Sequence, residues 1–178
     1  MNDELTNTRN FLQAISDAIH FFIQDNVPSN WATLFQILAK FVVFAGLIYL
    51  VDLVVKLIIN SVFKLLYDND KHPVMKSIYV AKITNSFAHI IAVLFASFSV
   101  DSFFYGRHPK SFIFLERMIG LAIVFVVAGM LYRSLSAFRN YFIIQQDFYK
   151  IIALNAVSQT VKIFGTFVSA IIAICVIF

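Results

Sequence analysis

The chain has 178 residues, of which 60% are hydrophobic and only 13% charged, and its mean hydropathy is +0.81. Soluble domains are typically about 45–50% apolar and about 25% charged. A soluble fold of this length cannot hide so much apolar surface from water. The composition therefore excludes a soluble domain and indicates an integral membrane protein.

The formal net charge of +4 does not indicate nucleic-acid binding. Lys and Arg stand alone or in pairs at the ends of apolar runs, as is typical of membrane proteins. No basic cluster alternates with aromatic residues, as a groove for single-stranded nucleic acid would require. We therefore predict no nucleic-acid partner and expect membrane lipids to be the main surroundings of the chain.

Residues that would carry catalysis or hold a cofactor are scarce. The single cysteine, Cys175, excludes an internal disulfide and a multi-cysteine metal site. No histidine is followed by a second ligand at i+3 or i+4, and no hydrolase, metalloprotease or nucleotide-binding motif occurs. We predict that the protein is not an enzyme and that it has no catalytic residue, cofactor or metal site.

Residues 1–30 predict an amphipathic helix followed by a turn. Apolar residues recur at helical spacing from Phe11 to Ile23, with acidic residues on other faces, and Pro28 ends the pattern. This helix is too polar to span a bilayer, so we expect it to lie along the membrane surface, with Trp31 as an interfacial anchor. The alternative is a helix packed on another domain.

Residues 31–178 predict an all-α domain of four membrane spans. Polar turns at 67–73 and 105–110 separate the first three spans, and no proline or glycine ends the third helix before Lys150. The first apolar run exceeds the roughly 30 Å hydrocarbon core, so we expect it to tilt or to project. The spans are predicted at about 34–66, 78–104, 112–132 and 151–178.

The basic residues predict an orientation in the membrane. The connections after the first and third spans carry seven Lys and Arg residues, against five on the other side of the membrane. This bias places the two connections in the cytoplasm and the N-terminus outside the plasma (inner) membrane. From Ile163 the last span has no charge, and the sequence stops within it. We therefore expect a further segment that returns the chain to water.

Two pairs of polar residues lie within the predicted spans. Asp52 and Lys56 are four residues apart, in the favourable order for an intrahelical ion pair. Asn85 and His89 are also four apart, and we expect them to form a hydrogen bond that packs two helices together. An acidic residue inside a span is also a functional candidate, so a small transporter that uses Asp52, Asn85 and His89 stays open as an alternative.

Two further features concern helix packing. Gly165 and Ser169 form a small-residue face that permits close approach of another helix. The many phenylalanines are expected to face lipid rather than to form a ligand site; the set is Phe41, Phe44, Phe87, Phe95, Phe98, Phe103, Phe104, Phe112, Phe114 and Phe125.

Two short segments carry a resemblance to a known family. The second span begins Lys82-Ile-Thr-Asn85-Ser-Phe-Ala-His89, and the fourth contains Gln159-Thr-Val-Lys162-Ile-Phe. With the order of the spans, these segments make residues 35–178 resemble the membrane domain of bacterial MscS-like mechanosensitive channels, in the five-span YbdG-like branch.

The resemblance implies the tension-sensing helices of an ion channel that responds to osmotic stress. It also implies a homo-oligomer, a heptamer in the family manner, whose pore helix and cytoplasmic domain would follow Phe178. The alternative from another class is a four-span assembly or accessory subunit, which packs on other membrane proteins through the face of Gly165 and Ser169.

Overall fold

The computed structural model describes residues 2–67, 73–104, 108–146 and 148–177, and these residues form only α-helices. The centres of the two predicted turns, 68–72 and 105–107, lie outside the described residues. The helices are α1 (Asn2–Asn26), α2 (Ser29–Tyr67), α3 (Pro73–Val80), α4 (Ile83–Phe104), α5 (Pro109–Ile144) and α6 (Phe148–Ile177).

Four of these helices are long and apolar enough to cross a membrane. They are α2 over Ser29–Leu66, α4 over its full length, α5 over its full length and α6 over Tyr149–Val176. Helix α1, which is amphipathic, precedes them. The predicted class, an all-α multi-pass membrane protein with an N-terminal amphipathic helix, is therefore confirmed.

The sequence pattern had indicated one continuous helix for the second predicted span, and the structure shows that this is wrong. It is broken at Ala81 and Lys82, between α3 and α4, and Lys82 has a φ of 56°. The Lys82 amide donates to the Tyr79 carbonyl at 2.9 Å, which closes a tight turn in place of the helical hydrogen bond. Neither glycine nor proline marks the break. The helix that contains the third predicted span, α5, continues past Arg139 to Ile144.

Contacts divide the chain into two compact units. The first unit comprises Met1–Val51 and Ala92–Ile119. Its core is formed by side chains of α1, α2, α4 and α5, which include Leu12, Phe44 and Leu115. The second unit comprises Asp52–Ile91 and Gly120–Phe178.

The expectation that all the phenylalanines face lipid is wrong for three of them. Phe44, Phe103 and Phe104 are at most 3% exposed and form the centre of the first unit's core. The ring centroid of Phe44 lies 5.7 Å from that of Phe103 and 5.8 Å from that of Phe104. An apolar run identifies a span, but when every face is apolar it does not show which face meets another helix.

The second unit has fewer buried apolar residues than the first. Its buried residues lie mainly in α3, α4 and α5, and they include Ser77, Ala88 and Ala137. In α6, none of the residues of the apolar window is buried by the described part of the chain. This helix therefore presents most of its surface to whatever surrounds the chain.

Candidate functional site

The predicted ion pair in α2 is present and has a third member. The Lys56 ammonium lies 2.5 Å from Asp52 Oδ2, and His89 Nδ1, from α4, lies 2.8 Å from Asp52 Oδ1. The His89 contact has ion-pair distance but not hydrogen-bond geometry. The Asp52 side chain is 15% exposed. The sequence had placed His89 and Asn85 on one face for a helix-packing hydrogen bond, and had grouped both with Asp52 only in the transporter alternative.

A second polar contact joins the same two helices. The Asn60 Nδ2 amide donates to Asn85 Oδ1 at 3.5 Å. Asp52, Lys56 and Asn60 follow one another at intervals of four, hence on one face of α2. Asn85 and His89 have the same interval on α4. We call these five residues the α2–α4 polar stripe. The sequence analysis did not single out Asn60, although Asn60 follows Lys56 by four residues, the interval that places both on one helix face.

Lys82, another residue that the sequence singled out, contacts α5 through its backbone carbonyl. Arg133 in α5 donates from Nη1 to the Lys82 carbonyl at 3.3 Å and to Ser86 Oγ at 2.8 Å. The guanidinium therefore connects α5 to the break between α3 and α4 and to the first turn of α4. We call this contact the Arg133 clasp. The sequence pointed to Lys82 but not to Arg133 or Ser86.

Gln159 and Lys162 lie at a polar cavity between α5 and α6. Its volume is about 320 Å³, and its polar lining is Ser136 and Arg139 from α5 with Asn155, Ser158, Gln159 and Lys162 from α6. The α6 residues repeat at intervals of three and four, which places them on one face of the helix. We call this space the α5–α6 cavity. It contains two cationic side chains and no carboxylate.

Gly165 lies where α6 meets α5. A Cβ atom added to Gly165 would be 3.4 Å from the Tyr132 hydroxyl oxygen. That hydroxyl donates to the Lys162 carbonyl at 3.1 Å and lies 2.7 Å from Thr166 Oγ1. Ser169, the other member of the predicted small-residue face, is half-buried one turn further along α6.

The polar groups of the α2–α4 polar stripe, the Arg133 clasp and the α5–α6 cavity offer hydrogen bonds and charge. Among the described residues, no three His, Cys, Asp or Glu side chains converge on a metal site. Comparisons with protein-family models, with curated proteins and with solved structures found no match. The resemblance to MscS-like channels therefore stays a prediction from the two short segments.

Proposed function

We propose that this chain forms the tension-responsive helices of a mechanosensitive ion channel of the plasma (inner) membrane, with its N-terminus outside the cell. The observation that carries the proposal is the break between α3 and α4, held by the Arg133 clasp. A sensor of membrane tension needs an element with two arrangements of similar free energy, one of which occupies more area in the membrane.

The break has the properties of such an element. A left-handed backbone conformation at a residue other than glycine costs roughly 1–2 kcal/mol, so Lys82 holds strain in the described conformation. The Arg133 clasp offsets that strain through two charge-assisted hydrogen bonds. Movement of α5 away from α4 would release the clasp and let residues 81–82 change conformation.

The surface of the spans supports the same proposal. In the apolar windows of α2, α5 and α6, 6%, 11% and 0% of the residues are buried within the chain. Helices with so much apolar surface outside the chain exchange contacts with lipid when the bilayer is stretched. In this proposal the chain works as a homo-oligomer, and the heptamer remains an inference from the resemblance.

One observation favours a second candidate, a four-span assembly or accessory subunit. Exposed apolar residues of α6, such as Ile163, Phe164 and Phe167, are 67–74% exposed, and another membrane protein would cover them as well as lipid does. Co-purification with a larger membrane protein supports this candidate, and purification as a homo-oligomer alone counts against it.

Patch-clamp recording under suction tests the channel proposal. The gene, with all of its coding sequence, is expressed in channel-deficient spheroplasts and compared with residues 1–178 alone. Pressure-gated current from the whole gene supports the proposal. An absence of current from the whole gene, with the protein present in the membrane, overturns it and favours the accessory subunit.

Variants of the break make the test specific. Lys82→Gly removes the strain of the described conformation, which we take as the resting one, and should raise the pressure threshold. Lys82→Ala is the matched control, because it removes the same charge but keeps the Cβ atom and hence the strain. Arg133→Gln should lower the threshold. If Lys82→Gly and Lys82→Ala gate alike, the break is not the responsive element.

A further inference from the structure

We propose that the α5–α6 cavity binds the phosphate of an anionic phospholipid headgroup. The inference goes beyond the channel proposal and does not depend on it. It starts from the donors that line the cavity. The Arg139 guanidinium offers a planar fork of N–H groups that matches two phosphate oxygens, and Lys162 adds a second positive charge. The side chains of Asn155, Ser158 and Gln159 add hydroxyl and amide donors, whereas the Ser136 hydroxyl already donates to the Tyr132 carbonyl at 3.2 Å.

The charge of the surrounding helices is not balanced locally. Residues 120–146 and 148–177 contain four Lys or Arg side chains and no Asp or Glu. Asp147, in the connection between α5 and α6, lies outside the described residues. Within the described part of the chain, neither Arg139 nor Lys162 forms an ion pair with a carboxylate. Among the described residues this pair of cations thus has no carboxylate partner, and it can accept an anion from outside the chain.

The position of the cavity along the helices indicates a lipid rather than a soluble ion. Lys162 borders the uncharged run 163–177 of α6, which is about 22 Å long at 1.5 Å per residue. Arg139 lies beyond the apolar run of α5 that ends near Tyr132. Lys162 lies near the middle of the α6 window Tyr149–Val176, and in this proposal the bilayer-embedded part of α6 begins at Ile163. That choice, with the end of the apolar run of α5 near Tyr132, puts both cations at the level of headgroup phosphates. Basic pockets between membrane helices bind anionic headgroups for this reason.

The dimensions suit a headgroup and not a whole lipid. The cavity volume of about 320 Å³ is at the lower end of the range for small-molecule sites. The surface next to it along α6 is apolar and lies outside the cavity, at Ile163 and Phe167, which are 74% and 67% exposed. A lipid whose phosphate lies in the cavity would have this apolar surface beside its acyl chains.

Native mass spectrometry of the purified full chain tests the inference. The protein is presented with phosphatidylglycerol and phosphatidylcholine in equal amounts, and the retained adducts are compared. We expect preferential retention of phosphatidylglycerol. Arg139→Gln and Lys162→Gln should each weaken it about fivefold, since one basic residue near an anionic membrane surface contributes about 1 kcal/mol. Lys162→Arg should retain the preference, which separates loss of charge from loss of fold.

Lys150→Gln is the matched control. Lys150 belongs to the same helix, carries the same charge and lies 5.4 Å from the Phe142 ring centroid, away from the cavity lining. Equal retention of the two lipids by the unmodified chain overturns the inference, as does an equal loss in Lys150→Gln and Lys162→Gln. Inorganic phosphate is titrated separately into protein in neutral detergent. Binding of phosphate through Arg139 and Lys162 without any lipid preference would overturn the lipid assignment in favour of a soluble anion.

Discussion

The ammonium nitrogen of Lys40 lies 3.2 Å from the backbone carbonyl oxygen of Phe103, inside the first unit. The Lys40 side chain is fully buried. Phe103 is in the last turn of α4, where carbonyl groups lack helical partners and carry partial negative charge. Ser16 Oγ in α1 donates to the same oxygen at 3.4 Å. A buried cation and a hydroxyl group thus cap the end of a membrane helix.

We predict that Lys40→Ala lowers the free energy of unfolding by about 1.5–3 kcal/mol, the usual contribution of a hydrogen bond to a charged group. The Phe103 carbonyl would lose its stronger donor, and the removed side chain would leave a cavity. Lys40→Met, which keeps most of the volume, should cost less. Thermal unfolding of the detergent-solubilised protein measures both changes.

The control for Lys40 is Lys64→Ala, which removes an exposed lysine from the same helix. Its unfolding midpoint should stay close to that of the unmodified protein. If Lys40→Ala and Lys64→Ala unfold at the same temperature, the cap on α4 contributes nothing measurable to stability.

The Asp52 cluster gives a second prediction. Asp52→Asn leaves Lys56 and His89 without the carboxylate that lies between them. In a double-mutant cycle of Asp52→Asn and Lys56→Met, we expect a coupling energy of about 0.2–0.5 kcal/mol, the usual contribution of an ion pair four residues apart on one helix. The same cycle with His89→Gln in place of Lys56→Met measures the contact between α2 and α4, for which we expect about 0.6 kcal/mol, the average for polar contacts between membrane helices.

The single variant Asp52→Asn also separates ion pairing from transport. If Asp52 serves only to neutralise its neighbours, Asp52→Asn lowers the free energy of unfolding and leaves any uptake by the protein unchanged. A small transporter would lose uptake completely with the same substitution. Coupling energies near zero in both cycles would contradict a structural role for the pair.

The sequence predicted the helices well because long apolar runs have few alternatives in a membrane. Runs near 34–66 and 112–132 correspond to parts of α2 and α5. The contacts between helices were harder to predict. Lys40 lies within the predicted first span, and nothing in its immediate sequence shows that α4 ends beside it.

The break at Lys82 was missed for a related reason. Tertiary contacts, and not a local glycine or proline, hold its left-handed conformation, and one of these contacts comes from Arg133, 51 residues away. The α6 face of Asn155, Ser158, Gln159 and Lys162 was visible as a periodic pattern. Its partner Arg139 was not, because spacing within one helix carries no information about the neighbouring helix.

The close approach of α5 and α6 at Gly165 gives the third prediction. A Cβ atom there would lie 3.4 Å from the Tyr132 hydroxyl oxygen, at the limit of ordinary van der Waals contact. Gly165→Ala should therefore be tolerated. Gly165→Leu should displace Tyr132 and lower the free energy of unfolding by about 1–3 kcal/mol, the usual cost of overpacking.

The matched control is Gly46→Leu, because a Cβ atom at Gly46 would have no neighbour within 4 Å. Thermal unfolding should show a lower midpoint for Gly165→Leu than for Gly46→Leu. Tyr132→Ala should make Gly165→Leu less damaging, since the truncated residue leaves room for the leucine. If the penalty for Gly165→Leu is the same with tyrosine and with alanine at position 132, some contact other than the one with Tyr132 determines the need for glycine.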